Sequence, residues 1–288
     1  MIVVAGPASP KLGKRVAELL ECELAPLEWK RFPDGESYIR IPGDLKGESV
    51  VVVQSTSPPQ DKRLMELFFI LDLINELGAR EVTVVIPYLA YMRQDKRFRE
   101  GEVVSIKVVS RLIESFNVDR VILVDVHSRK VLDSFNVDVA EVSAMPLIGS
   151  YFSSIDLVNP FVLAPDKKAL ILAERVAEKI GCKYDFLEKR RDRITGEIKT
   201  YFKKINVKGR DVVIVDDIIS TGGTIANAAE MARSLGARRI YAACTHALLV
   251  KNALMRLSSA GVFEIIGTDT IESNVSKVSV APAIVSVL

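Results

Sequence analysis

Cysteine is scarce in this sequence. Cys22, Cys182 and Cys244 are the three present, scattered and odd in number. That argues against a disulfide framework and makes a reducing cytoplasm the expected location. Charge of one sign is missing as well. Lys and Arg total 39, Asp and Glu 37, for a net charge of +2. Neither the electrostatic footprint of a nucleic-acid binder nor an acidic tail is evident, so no nucleic-acid partner is expected. No apolar run approaches the ~20 residues that span a bilayer. The start, Met1-Ile2-Val3-Val4-Ala5-Gly6, lacks a basic region followed by a long apolar one. Neither a signal peptide nor a membrane partner is expected. The Walker pattern Gly-x-x-x-x-Gly-Lys-Ser/Thr is absent, which argues against a P-loop NTPase. Low-complexity segments and Pro- or Gly-rich linkers are absent too.

What is present is apolar sequence in alternating blocks. A chain of 288 residues, 49% hydrophobic, has room for two domains with sizeable cores. Strands are expected at 2–5, 49–54, 81–87 and 120–126, with helices at 11–20, 61–77 and 104–116 between them. A turn rich in Pro, Asp and Gly lies at 31–38, and a charged stretch at 93–102. The order repeats after about residue 143, with strands expected at 161–164, 183–187, 212–215, 240–245 and 265–268. Such alternation predicts an α/β fold, a parallel sheet covered by helices on both sides. An internal echo supports two copies. Leu77-Gly78-Ala79-Arg80-Glu81-Val82 matches Leu235-Gly236-Ala237-Arg238-Arg239-Ile240, each a helix end, a Gly stop and a strand start. The domains are drawn at 1–142 and 143–288, the last strand returning to the first domain.

The most informative stretch runs from Asp211 to Thr224. Val212 to Val215 is a short β-branched run, suited to a strand buried on both faces. Asp216 and Asp217 end it, and the turn Ser220-Thr221-Gly222-Gly223-Thr224 leads into a helix. A turn at a helix start offers backbone N–H groups and the positive end of the helix dipole. Glycines let a ligand approach, and the hydroxyls of Ser220, Thr221 and Thr224 add donors. This is the pattern of a phosphate cradle. Gly-Gly turns also occur where nothing binds, but acids left uncompensated at a strand end are costly. They suit sugar hydroxyls or a metal ion.

Other segments fall at or near strand ends, where ligands bind in open α/β sheets. His127 follows the strand at 120–126 and either supports structure or, with Asp125 near, coordinates a cation or phosphate. His246, the second of two histidines, reads as structural. Asp166-Lys167-Lys168 either holds Mg²⁺ and a polyphosphate or is a helix cap with two solvated lysines. Lys189-Arg190-Arg191-Asp192-Arg193, ahead of Thr195-Gly196-Glu197, is either a solvated loop face or a set of cations that closes over phosphates. Phe32-Pro33-Asp34-Gly35-Glu36 and Tyr91-Met92-Arg93-Gln94-Asp95 are, taken singly, ordinary polar turns.

Taken in order, these segments resemble one family. The turn at 216–224 is similar to the ribose-5-phosphate loop of the phosphoribosyltransferase fold. Together with Phe32 to Glu36, Arg93-Gln94-Asp95, Asp125-Val126-His127-Ser128 and Lys189-Arg190-Arg191, it resembles ribose-phosphate pyrophosphokinases nearly end to end. The family is also called the phosphoribosyl pyrophosphate synthetases. The resemblance implies two tandem phosphoribosyltransferase-like domains, each a mainly parallel sheet flanked by helices. The first would carry the ATP side and subunit contacts, the second the ribose 5-phosphate site and catalytic loop. It implies transfer of the β,γ-diphosphoryl group of ATP to the 1-hydroxyl of ribose 5-phosphate, giving AMP and 5-phosphoribosyl 1-diphosphate for nucleotide biosynthesis. By position, Asp34, Gly35, Glu36, Arg93 and Gln94 would bind ATP, part of that pocket coming from a neighbouring subunit of a homo-oligomer. His127 and Asp166 would each engage Mg²⁺, the implied cofactor. Asp216 and Asp217 would face the ribose hydroxyls, and Ser220, Thr221, Gly222, Gly223 and Thr224 the 5-phosphate. Lys189 and Arg191 would be catalytic, on a mobile loop, with Arg191 also touching ribose 5-phosphate.

The chain departs from the family pattern in places. Many members carry Asp-x-Gly-Gly where Asp166-Lys167-Lys168-Ala169 stands, which implies a different diphosphate loop. Arg129-Lys130-Val131-Leu132 replaces Gln-rich sequence and leaves hexamer assembly and ADP inhibition open. The length is similar to that of archaeal members. Two other readings stand beside the diphosphokinase: a phosphoribosyltransferase that uses phosphoribosyl diphosphate, and a non-catalytic regulatory relative.

Overall fold

The computed structural model describes residues 1–191, 198–201 and 205–288, with 189–191 and 198–201 described by backbone alone. The chain forms two compact units. One comprises 1–143, 269–272 and 279–288; the other comprises 144–268 and 273–278.

The first unit is built on β1 (Ile2–Ala5), β2 (Glu23–Leu24), β5 (Ser49–Val53), β6 (Glu81–Ile86), β7 (Arg120–Val124) and β8 (Asp138–Val142). They form one parallel sheet in the order β2-β1-β5-β6-β7-β8. Val50 to Val53 and Val121 to Val124 are buried, as β-branched runs in a two-sided sheet must be. Helices α1 (Pro10–Leu19), α2 (Gln60–Glu76) and α3 (Ser105–Glu114) connect the strands. An exposed antiparallel ribbon of β3 (Glu28–Arg31) and β4 (Ser37–Arg40) stands apart from the sheet. It is tied to α2 through Glu66, whose fully buried carboxylate accepts from Trp29 Nε1 at 3.2 Å and Ser37 Oγ at 3.1 Å. Lys62 and Arg63 pair the same carboxylate, so its charge is compensated.

The second unit repeats the plan. Its sheet runs β10 (Lys183–Phe186), β9 (Phe161–Ala164), β13 (Asp211–Ile219), β14 (Arg239–Ala247), β15 (Glu264–Thr268), β16 (Ser276–Val278), all parallel. Its helices are α4 (Met145–Ser153), α5 (Leu170–Ile180), α6 (Gly223–Ser234) and α7 (Ala253–Ser259). Ile225, Ala228, Ala229 and Ala232 of α6 and Leu257 of α7 share a core with Val212, Ile214, Ile240 and Ala242. A second ribbon pairs β11 (Glu188–Arg191) with β12 (Ile198–Tyr201). The charge run expected in a loop is therefore strand as far as Arg191. Asp192, Arg193, Thr195, Gly196 and Glu197 lie outside the described residues. The segment that joins the first unit at the C-terminus is a helix, α8 (Ala281–Val285), not a strand.

The echoed sequence has the same hydrogen bonds in both units. Ala79 N donates to Ile74 O at 3.2 Å and Ala237 N to Ala232 O at 3.0 Å, closing each helix with a left-handed glycine. Gly47 N then reaches Gly78 O, and Gly209 N reaches Gly236 O, both at 2.8 Å.

The second unit adds an ionic anchor at the start of β13. Asp211 is fully buried and accepts from Arg238 Nη2 at 2.7 Å, Arg239 Nη2 at 2.9 Å and Val158 N at 2.9 Å. Burial alone would raise its pKa, but hydrogen bonds from both arginines and from the Val158 N–H hold it at about 2. A carboxylate depressed from 3.8 stabilises the fold above that value, and the benefit is lost as pH falls toward about 2. The shift corresponds to about 2 kcal/mol. The Asp211→Ala variant is expected to unfold in urea with about 2–3 kcal/mol less stability at neutral pH, since its arginines can rehydrate. The gap from wild type should narrow by about 2 kcal/mol between about pH 5 and about pH 2. A gap that stays constant over this range would show that Asp211 is not an ionised anchor.

Candidate active site

Strand order locates a crevice in the second unit. From β9 the chain crosses to β10 on one side, and from β13 to β14 on the other. Ligands in open α/β sheets sit where the order reverses in this way, outside the carboxyl ends. β13 pairs with β9 only from Val212 to Ile214, yet continues beside β14 to Ile219. Asp216 and Asp217 thus lie within the strand, on the stretch that has lost its β9 neighbour. The strand is longer than the apolar run predicts because pairing with β14 alone carries it onward.

The two acids are half-buried and joined locally, Asp217 N donating to Asp216 Oδ1 at 3.1 Å. Burial first, then the charge of Asp217 and that of Asp166, raise the proton affinity of Asp216 well above the usual carboxylate range. Asp166 therefore belongs to the same crevice. It follows β9, and its Oδ1 caps the turn into α5, accepting from Lys168 N at 2.9 Å and Ala169 N at 3.3 Å. The cap expected from the sequence is present, and Lys167 and Lys168 are exposed beside it.

Beyond β13, Ser220, Thr221 and Gly222 turn the chain into α6. Thr221 and Thr224 are exposed and Ser220 is half-buried. Gly222 has φ +75°, and a Cβ there would lie 3.2 Å from Leu257 Cγ. Both features demand glycine, the second for packing against α7 rather than for a ligand. A Cβ on Gly223 would make only ordinary contacts, 3.5 Å from Arg256 Nη1. The N–H groups of Thr221 and Gly222 have no acceptor among the described residues. With the first turn of α6, which has no side-chain cap, they present a set of N–H donors of the kind that suits an anion. Sequence reading missed Arg256, which stands beside this turn and donates to Thr221 O at 2.9 Å. A lone arginine near a helix end, far along the chain, carries no motif that would single it out. Lys189 and Arg191 lie on β11, opposite Thr200 and Ile198. His246 is buried within β14.

The other predicted residues belong to the first unit. Asp34, Gly35 and Glu36 form the exposed tip of the β3–β4 ribbon. Gly35 has φ +99°, Gly35 N donates to Phe32 O at 2.9 Å, and Asp34 Oδ1 accepts from Glu36 N at 3.0 Å. Arg93 is exposed in the irregular stretch after β6, and Gln94 Oε1 accepts from Ser105 Oγ at 3.0 Å. His127 is exposed past β7, after the buried Asp125 at φ +38°. None of these lies at the first unit's own reversal of strand order, between β1 and β5. That place is filled by the chain itself. Gln54 Oε1 accepts from Ala8 N at 2.9 Å, Ser9 Oγ from Ser55 N at 2.9 Å, and Thr270 O from Ser55 Oγ at 2.7 Å. Glu272 Oε1 sits on the N-terminus of α1, accepting from Lys11 N at 2.8 Å and Leu12 N at 3.2 Å.

Known proteins align with this arrangement throughout. Residues 1–116 match the model of the N-terminal domain of ribose phosphate pyrophosphokinase, and residues 141–281 that of the phosphoribosyl transferase domain. A ribose-phosphate pyrophosphokinase of Sulfolobus acidocaldarius is 47% identical over 97% of this chain and 96% of its own length. One of Methanothermobacter thermautotrophicus is 46% identical over 100% and 99%, and one of Methanopyrus kandleri 48% over 99% and 97%. The crystal structure of phosphoribosylpyrophosphate synthetase from Mycobacterium smegmatis superposes with a TM-score of 0.85 at 29% identity, covering 99% of this chain and 96% of that one. Kinship of this degree embraces both units and every segment of the crevice, and the chain belongs to the ribose-phosphate pyrophosphokinase family.

Proposed function

We propose that this chain is a cytoplasmic ribose-phosphate diphosphokinase that forms 5-phosphoribosyl 1-diphosphate and AMP from ribose 5-phosphate and ATP. The observation that carries the reading is the end-to-end kinship with ribose-phosphate pyrophosphokinases. The crevice beside β13 suits the sugar phosphate. Residues 220–224 offer N–H and hydroxyl donors to the 5-phosphate, and Asp216 and Asp217 accept from the ribose hydroxyls. The 1-hydroxyl then attacks the β-phosphorus in line, its proton leaves, and AMP departs with the bridging oxygen. Positioning both substrates supplies much of the acceleration. Lys189 and Arg191 neutralise charge as it spreads onto the phosphoryl oxygens, from a segment that closes once substrates are bound. Asp34, Gly35, Glu36, Arg93 and Gln94 serve ATP, with help from a neighbouring subunit of a homo-oligomer.

The donor chemistry fits Mg²⁺ as cofactor. Asp166 offers a hard oxygen near Asp216, whose proton affinity is raised by burial first and then by the charges of Asp217 and Asp166. Among the described residues no group of three or more His, Cys, Asp or Glu could hold a metal alone. Mg²⁺ suits such a sparse set, because it keeps several waters and shares its coordination with substrate phosphates. His127 and Asp166 are the residues that would each engage an ion. When bound, Mg²⁺ supplies charge neutralisation and orientation of the phosphate chain.

Purified protein given ATP, Mg²⁺ and ribose 5-phosphate is expected to release AMP in step with phosphoribosyl diphosphate. Release of ADP alone, or of nothing, would reject the reading. For Lys189→Ala, turnover should collapse while ribose 5-phosphate still binds. A loss within about tenfold, ~1.4 kcal/mol of barrier, would remove Lys189 from catalysis. Asp216→Asn should weaken ribose 5-phosphate by about 1.5–3 kcal/mol, the worth of hydrogen bonds to a charged group. The same change should raise the melting temperature of the ligand-free protein, since it removes the cost of burying an acid there beside the charges of Asp217 and Asp166. Unchanged sugar affinity by calorimetry would contradict the role given to the acid.

A further inference from the structure

The back of the 220–224 turn is held by one segment of chain. Leu249 N donates to Ile219 O at 3.0 Å and Val250 N to Ser220 O at 3.1 Å. Arg256 Nη1 completes the series on Thr221 O at 2.9 Å. Within a trans peptide the C=O and the following N–H point in opposite directions. Fixing the carbonyls of Ile219, Ser220 and Thr221 therefore aims the N–H groups of Ser220, Thr221 and Gly222 away from 249–256. The first two peptides are held by backbone, the third by a side chain. Gly222, the residue after that third peptide, has φ +75° and no Cβ to restrict it, so its peptide has the least intrinsic reason to stay put. The guanidinium that restrains it is exposed and has no carboxylate partner among the described residues. It is thus a permanent positive charge at the edge of the turn, screened by water until a bound anion displaces that water.

We infer that Arg256 is a positioning residue for the sugar's phosphate, locking the Thr221–Gly222 peptide with its N–H toward the anion and lending positive charge to the rim. This rests on the reading of 220–224 as the phosphate cradle. Arg256 acts through the turn and takes no part in the phosphoryl transfer itself.

The test uses the full chain and measures ribose 5-phosphate affinity by calorimetry, KM for each substrate, and thermal unfolding. R256A is expected to raise the dissociation constant and KM for ribose 5-phosphate about tenfold or more, the loss expected for a charge-assisted hydrogen bond. KM for ATP should stay within about twofold, and R256K should recover part of the loss. A ribose 5-phosphate constant within about twofold of wild type, or an equal rise in KM for ATP, overturns the proposal. Should R256A fail to fold, R256Q decides in the same way. It keeps a donor for Thr221 O without the charge, and affinity indistinguishable from wild type would dismiss the electrostatic part. If wild type itself binds no ribose 5-phosphate, the cradle reading falls first, an outcome separate from a wild type that binds and a variant that binds equally.

Discussion

Negative charge gathered at the end of β13 is the constraint around which this unit is arranged. Three aspartates on that one strand meet opposite fates. Asp211, at the start, is buried between two guanidiniums and its pKa falls to about 2. Asp216, near the other end, is taken out of water beside a second carboxylate at Asp217 and a third at Asp166, and its proton affinity rises. Identical side chains on the same strand are pushed apart by what surrounds them. The first holds the strand in place. The second costs stability where it stands, which is what the proposed sugar-binding role would offset.

The two units share one architecture but do not share its use. Each sheet reverses its strand order once, and each reversal opens a crevice. In the first unit, Gln54 reaches so close to Gly6 that an added Cβ would lie 2.2 Å from its Oε1. Ser9, Ser55, Thr270 and Glu272 occupy the rest. The carboxylate of Glu272 takes the helix N-terminus that an external anion would need. In the second unit the counterpart of α1 is α5, whose entry turn Asp166 caps, while α6, the counterpart of α2, begins with no side-chain cap. A repeated fold thus has one reversal filled by its own chain and another where, among the described residues, acids and the start of α6 meet.

Much of this was legible because it is local. Val50 to Val53 and Val212 to Val215 announce buried strands by composition, and the Leu-Gly-Ala-Arg echo announces a shared helix stop. Asp216 to Thr224 carry acids, glycines and hydroxyls in one window, so the crevice could be placed from residue types. The ribbon at 28–40 and the pairing of 188–191 with 198–201 could not be read in the same way. The first has exposed strands, and its fixed point, Glu66, lies on a helix well away in sequence. The extension of β13 past Val215 also escaped notice. Aspartate is a poor strand former, and only the partner strand β14 explains why it is tolerated there.

Glycine at 222 has a structural reason that the motif itself does not contain. A ligand explanation says that the backbone must be bare for phosphate to approach. Packing adds a requirement from behind: α7 lies so close that Leu257 would have to give way to a side chain at Gly222, while Gly223 has room for one. The same helix carries Arg256 to the turn. An anion nest cannot be made by the loop alone, because N–H groups that face outward need carbonyls that are satisfied inward. The turn is therefore specified as much by the protein packed against its back as by whatever occupies its front, and a sequence window confined to 216–224 contains only half of that specification.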